Sequence, residues 1–255
     1  MRLGKRTIIW EDNIEPPKNY IWVRKNRKIY EYNKKSLQWE VSSLFDPEPK
    51  SETKPKKPEY ETNGHQYVDL GLESGTLWAN TNVGALTPDG LGFYVSWGEV
   101  QPKANYHVWS WYKYGTRTKL TKYYKADNKK ILEPEDDAAT VNWGGQWVTP
   151  SKEDWEELSD SCSWTWDWYD NKRGWTVTGP NGNSIFLPAN GKLTSSFSNV
   201  GSAGGYWASD VDADTSNWIE AYGLSFNDSM WNRLSFSRAE GYAVRPVIKT
   251  NNTNE

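Results

Sequence analysis

Residues 205–249 read GYWASDVDADTSNWIEAYGLSFNDSMWNRLSFSRAEGYAVRPVIK. The stretch reads as short strands and turns, closing in a strand over Ala243–Ile248. Side chains alternate between the two faces of a strand, so one set can fill a core while its neighbours meet solvent. Trp218, Tyr222, Trp231, Phe236 and Tyr242 offer large contact areas, and the acids and Arg233 set the polarity of such a surface.

The same texture reaches back to Gly64: short, tryptophan-punctuated segments separated by Gly, Asn, Pro and Asp. Val68–Leu72, Thr76–Asn80 and Phe93–Trp97 read as strands. A helix starts at Ser151, where Ser151 and Asp154 are spaced as a capping box behind Thr149-Pro150, with Trp155 and Leu158 on one face. A second helix is expected over Glu135–Thr140. Few helices among many short strands predict an α+β fold, and no internal repeat is present.

Upstream, residues 46–63 form a Pro- and charge-rich linker too poor in apolar residues to pack. Residues 1–45 form a small β-rich unit, with strands over Tyr20–Val23, Lys28–Tyr32 and Leu37–Val41. A hairpin or three-stranded unit of this size needs a partner or oligomerisation for stability. The expected organisation is thus 1–45, linker 46–63, a domain over 64–249 and a tail over 250–255.

Residues 1–60 carry fourteen basic and nine acidic residues, and the rest of the chain sixteen and twenty-four. This asymmetry fits two pieces with different tasks. The basic piece lacks an Arg-rich run, so nucleic-acid binding is not expected. Seventeen Trp and fifteen Tyr against six Phe mark a fold built on large rings whose N–H and O–H tips still need partners. No apolar run approaches a membrane span, and Met1–Trp10 lacks the apolar core of a signal peptide.

Eight phrases, in order, carry a family resemblance: Tyr67–Ala79 (YVDLGLESGTLWA), Asn82–Ala85 (NVGA), Ser96–Glu99 (SWGE), Leu132–Ala139 (LEPEDDAA), Val141–Pro150 (VNWGGQWVTP), Gly179–Pro188 (GPNGNSIFLP), Gly205–Ser209 (GYWAS) and Gly241–Val247 (GYAVRPV). Together they resemble Bacteroidetes and phage proteins with a C-type-lectin-like fold, related to that of formylglycine-generating enzymes. The closing stretch is similar to the variable proteins of diversity-generating retroelements, in which a fixed frame holds scattered rewritten positions. Tyr206, Trp207, Ala221, Leu224, Phe226, Arg238, Gly241, Val244, Arg245, Pro246 and Val247 match that frame. The resemblance implies ligand-binding positions between them. These are Asp212, Asn217, Trp218, Glu220, Tyr222, Asn227 and Trp231, followed by Arg233, Ser235, Phe236, Ser237, Ala239, Glu240 and Tyr242. Arg238 and Arg245 are expected to be structural, pairing with carboxylates or backbone carbonyls.

The chemistry of the remaining residues points away from an enzyme. The related oxidative enzymes use two cysteines, whereas Cys162 stands alone and reads as a buried small residue. His65, at the linker edge, and His107 lack the companions of a zinc or Ser-His-Asp site. Asp210, Asp212 and Asp214 are spaced like a calcium loop, but Thr215 stands at position six instead of Gly and Ala221 at position twelve instead of Glu. A solvated acidic loop is the preferred reading, calcium the lesser one, and no other cofactor is expected. The acids of Glu133–Asp137 suit a helix start, and nothing fixes a carboxylate pair at the spacing of a glycosidase.

The expected function is non-enzymatic ligand recognition by a phage virion protein. It is made in the bacterial cytoplasm and binds a host-cell surface protein or glycan. The N-terminal unit would attach to other virion proteins, in a homotrimer, without membrane insertion. The alternative is a carbohydrate-binding or adhesion module at the bacterial cell surface.

Overall fold

In the computed structural model the chain divides into two compact units, Met1–Glu52 and Thr53–Glu255. The described residues are the strands at 7–10, 22–25, 28–33 and 38–41, and residues 60–250 except His107, with side chains from Glu61 onward. The stretch 46–59 of the expected linker and the last five residues of the expected tail, 251–255, lie outside them.

The first unit is a four-stranded sheet, one strand more than the sequence suggests. Thr7–Trp10 runs parallel to Trp22–Lys25, and Lys28–Asn33 and Gln38–Val41 follow antiparallel. The added strand was hidden because a single four-residue run carries little periodicity.

The second unit is rich in strand and poor in helix; the chain as a whole is 38% strand and 13% helical, in keeping with an α+β or mostly-β class. Its first strand, Tyr60–Thr62, pairs with His65–Asp69, so the packed unit begins inside the expected linker. Asn63 and Gly64 supply the reason. Both adopt positive φ, 51° and 77°, as a two-residue hairpin turn requires. The central sheet runs in the order Trp147–Val148, Val247–Ile248, Leu77–Ala79, His65–Asp69, Tyr60–Thr62, all antiparallel. The last strand of the domain is therefore inserted between earlier ones, and its ends are fastened together. Phe93–Trp97 is not a strand: it makes one isolated bridge, Val95 to Tyr242.

A second sheet, Ser163–Tyr169, Lys172–Thr178 and Ser184–Pro188, follows the helix Lys152–Ser161. That helix carries the expected capping box: Ser151 Oγ accepts from the Asp154 N–H, and Asp154 accepts from the Ser151 N–H at 2.7 Å. Trp155 and Leu158 are buried beneath it. The other α-helix lies at Ala138–Trp143, after a 3-10 turn at Pro134–Asp136, and not over Glu135–Thr140. Asp137 sets its start by accepting the N–H groups of Ala139 and Thr140.

The third sheet comprises Ala203–Val211, Glu220–Asn227 and Trp231–Ser237. It stands between two aromatic clusters. Trp207 and Ala221 pack with Trp97, Tyr123, Trp147 and Tyr242. Their neighbours Tyr206, Leu224 and Phe226 pack with Trp78, Trp155 and Leu158. Both faces of the sheet are thus lined with core, which a simple inside–outside alternation did not anticipate.

The ring tips end on backbone. Trp97 Nε1 donates to the Ala208 carbonyl at 2.9 Å, Trp207 Nε1 to Val95 at 2.8 Å, and Tyr112 and Tyr114 hydroxyls to Trp97 and Gly98 at 2.8 Å. Every frame residue is buried, and the two frame arginines are wholly enclosed. Arg245 donates to Asn82 Oδ1 and to the carbonyls of Ala79, Asn80 and Phe186 at 2.8–3.1 Å. Arg238 donates to the Tyr112 hydroxyl and to the carbonyls of Tyr123, Trp218 and Lys122, and lies 4.6 Å from the centroid of Trp97. Their partners are carbonyls, an amide and a hydroxyl.

Removing either guanidinium leaves buried acceptors without donors. Arg245→Met should lower the unfolding free energy by about 3 kcal/mol in urea denaturation. Arg233→Met, which removes the exposed pair with Asp160 and the contact over the Trp231 ring, should cost less than about 1 kcal/mol.

Candidate functional site

The third sheet carries the candidate binding residues, and its register sorts them by face. Tyr222 lies opposite Ser235, Leu224 opposite Arg233, and Phe226 opposite Trp231. These share one face. There Lys152 Nζ sits 5.1 Å from the Tyr222 ring, Trp231 tilts against Trp164 at 5.6 Å, and Arg233 reaches Asp160 at 3.0 Å. Ser235 Oγ donates to Asp212, whose other oxygen accepts the Asp214 N–H at 3.0 Å. On the opposite face Phe236 lies over Gly223 and stacks on Tyr242, with centroids 4.3 Å apart and planes 24° from parallel. Trp207 closes on both rings edge-on.

Beside this stack is a groove of about 440 Å³. Glu220, Ser235, Phe236, Ser237, Glu240 and Tyr242 line it, six of the fourteen candidates. The Tyr242 hydroxyl donates to Glu240 at 2.8 Å, and Lys192 Nζ stands 3.5 Å from the same carboxylate. Burial, and then the Glu240 charge and hydrogen bond, push the Tyr242 phenol well above its ordinary pKa, so it stays a donor at any physiological pH.

The structure moves four candidates off the surface. Asp212, Trp218, Ala239 and Tyr242 are buried. Trp218 has φ 55°, which turns its ring into the core while its carbonyl accepts from Arg238 at 3.0 Å. Ala239 follows Arg238 into the interior, and its carbonyl accepts from Ser96. Asp212 is held by the Asp214 N–H and Ser235, and Tyr242 by Glu240 and the rings around it. Asn217, with φ 63°, and Asn227 are exposed at turns.

Lys192, Asn199, Gly191, Ala203, Gly204 and Ser225 complete the groove. Ala203, Gly204 and Ser225 belong to the third sheet, whereas Gly191, Lys192 and Asn199 come from the hairpin Lys192–Leu193/Phe197–Ser198 and its flanks, which carry no pattern tying them to that sheet. The doublet Gly204-Gly205 was a usable sign of close approach. A Cβ on Gly204 would meet the Phe226 ring at 2.2 Å, and one on Gly205 would meet Tyr242 at 2.3 Å.

The other candidate chemistry settles into structural roles. Asp210 accepts the Lys152 N–H at 3.0 Å and is raised in pKa by burial. Among the described residues the acids whose oxygens converge are Glu133, Glu135 and Asp136, not Asp210, Asp212 and Asp214. Lys122 contacts all three of the converging acids, Lys129 contacts Glu133, and Lys113 contacts Asp136. Cys162 is half-buried at the helix end, and burial pushes its thiol up to about 12. His65 stacks on Trp143 at 3.8 Å, and burial lowers its pKa. His107 lies outside the described residues. Compared with known proteins, the chain matches no family model, no curated protein and no solved structure.

A Cβ on Gly223 would meet the Tyr206 carbonyl at 2.3 Å and Phe236 at 2.7 Å. Gly223→Val should therefore lower the melting temperature and dislodge Phe236, seen as loss of near-UV circular dichroism.

Asp136 offers a pH test. Burial raises its pKa, but hydrogen bonds from Lys113, Lys122 and Tyr123 outweigh this and hold it below the usual range. A depressed carboxylate stabilises the fold above its unfolded pKa of about 3.9 and loses that contribution as pH falls towards the folded value. Asp136→Asn should cost about 2 kcal/mol at pH 7 and progressively less below pH 4, measured by urea denaturation across pH.

Proposed function

We propose that the second unit is a non-enzymatic recognition domain of the C-type-lectin-like variable-protein kind, binding its ligand in the groove over the third sheet. The observation that carries this reading is the contrast between frame and groove. The frame is buried throughout. The groove draws six of its linings from the candidate positions and is open enough to admit a ligand. The half-buried Phe236, backed by Tyr242 and Trp207, offers a rigid contact. In this reading the protein is a phage virion component that meets a host-cell surface, and the N-terminal four-stranded unit attaches it to other virion proteins in a homotrimer.

A glycan-binding module of the bacterial cell surface is the second reading. Its support is Trp168, 48% exposed, whose ring carries Arg173 at 4.9 Å on the sheet away from the groove. The two readings separate by substitution. Ser225→Trp fills the groove, and Trp168→Ala removes the exposed ring. The full chain should bind intact Bacteroidetes host cells, and Ser225→Trp should abolish that binding without changing the melting temperature, while Trp168→Ala leaves it intact. Loss on Trp168→Ala alone, with sugars retained on a glycan array by the unaltered chain, would instead support the second reading.

A further inference from the structure

The third sheet has two edges, and the described chain covers one of them. Along Ala203–Val211, isolated bridges join Gly191 to Gly204, Ala243 to Tyr206 and Ile131 to Asp210. The other edge is Trp231–Ser237, seven residues long. Its pairing with Glu220–Asn227 runs without a bulge. The Asn227 N–H bonds the Met230 carbonyl at one end of this ladder, and the Arg238 N–H bonds the Ile219 carbonyl at the other. Antiparallel bonding alternates from residue to residue, so Asn232, Leu234 and Phe236 turn their backbone groups inward. Trp231, Arg233, Ser235 and Ser237 turn theirs outward. The Ser237 carbonyl accepts the Glu240 N–H. Among the described residues, nothing bonds the outward N–H and C=O groups of Trp231, Arg233 and Ser235.

An open edge is a template for a further strand, and proteins blunt such edges with lysine, proline or a bulge. The strand WNRLSFS has none of these. Its one charge, Arg233, is paired with Asp160 on the face away from Phe236. On the Phe236 face, Leu234 is 47% exposed. The groove is lined by Ser235, Phe236 and Ser237, three consecutive residues of this strand. Successive side chains point to opposite faces, so a groove touching all three meets the strand's backbone as well as the Phe236 ring.

Resting on the groove reading above, we infer that the ligand is a protein that adds an extended segment to Trp231–Ser237 as a fourth strand of the third sheet. The occupant of this edge must carry N–H and C=O groups alternating along an extended line, which a polypeptide backbone does and a sugar does not. The backbone of the segment takes up the outward groups of Trp231, Arg233 and Ser235. Every second side chain lies on the groove side, beside Leu234 and Phe236, and these positions select large apolar or β-branched residues. Main-chain bonds supply the attachment, and the side chains of Leu234 and Phe236 choose the sequence.

The test is selection of a displayed library of random twelve-residue peptides on the full chain, with a glycan array run in parallel. Enriched peptides should carry apolar residues at every second position. Methylating the peptide's backbone nitrogens one at a time should weaken binding at least about tenfold at alternate amides and little at those between. On binding, the amides of Trp231, Arg233 and Ser235 should gain protection from hydrogen exchange, while those of Leu234 and Phe236 are protected with or without peptide. Arg233→Pro, which removes an outward N–H and no inward one, should cut affinity at least about tenfold at the parent melting temperature. Arg233→Ala, which keeps that N–H, should leave affinity nearly unchanged. A methylation scan without alternation, or no gain of protection at the three amides, overturns the inference. So does a free chain whose three amides are already protected and lose that protection on dilution, since a second copy then holds the edge. Sugar binding lost on Ser225→Trp, with no peptide enriched, overturns it while leaving the groove reading standing. Peptides and sugars indifferent both to Ser225→Trp and to Arg233→Pro sink the two together.

Discussion

Two buried guanidinium groups hold this domain together. Much of the second unit is connecting backbone between short strands, and such backbone must place its carbonyl groups somewhere. Arg245 collects those of Ala79, Asn80 and Phe186, which belong to two segments far apart in sequence. Arg238 does the same for Lys122, Tyr123 and Trp218. A planar fork with five fixed donors can bind several carbonyls at once; a lysine in either place could not reach them in one plane. Burial lowers the Arg245 pKa to about 10, which still leaves it charged at neutral pH. Its desolvation is therefore a standing cost, offset only while every donor is used. The arginines thus determine which loops can come together.

Large rings standing on glycines form the second layer of the design. Phe226 occupies the space over Gly204, Tyr242 that over Gly205, and Phe236 that over Gly223. Each glycine lets a ring approach the sheet backbone directly, so the third sheet can bury both faces while its edge strand, Trp231–Ser237, stays largely accessible. The groove results from this arrangement. Its floor is backbone and ring, and its rim is made of side chains that the interior does not need.

The elements legible in sequence were those with a local cause. The capping box of Ser151 and Asp154 fixes its helix through two hydrogen bonds within four residues, whereas the arginine and aromatic frame was named from the family resemblance, and its enclosure came from the fold. The Asn63-Gly64 turn was equally local and was readable as a hairpin, though the charged run before it drew the linker boundary past it. What was not legible depended on distant partners. Tyr242 and Trp218 look like contact residues, yet one is drawn inward by Trp207, Phe236 and Glu240, and the other by a left-handed backbone and Arg238. Lys192 and Asn199 gave no sign of reaching the groove, because the hairpin that carries them is placed by long-range contacts: the bridges Leu193 to Gly241 and Gly191 to Gly204, and the Phe197 ring against Tyr94.

The placement of these partners separates the positions on which the fold depends from those it does not need. Glu220 and Asn232 carry no side-chain bond to the frame. Arg233 reaches the exposed Asp160 and the partly exposed Trp231 ring, and Ser225 is in neither core cluster. Replacing any of them leaves no buried group unpaired, which is the usual source of a large stability loss. Phe236 is the intermediate case, since it touches Trp207 and Tyr242 from above while remaining half-exposed. It carries the rigidity of the core to the groove, so in the proposed recognition role a ligand resting on it would meet an already ordered surface and lose little conformational entropy on binding.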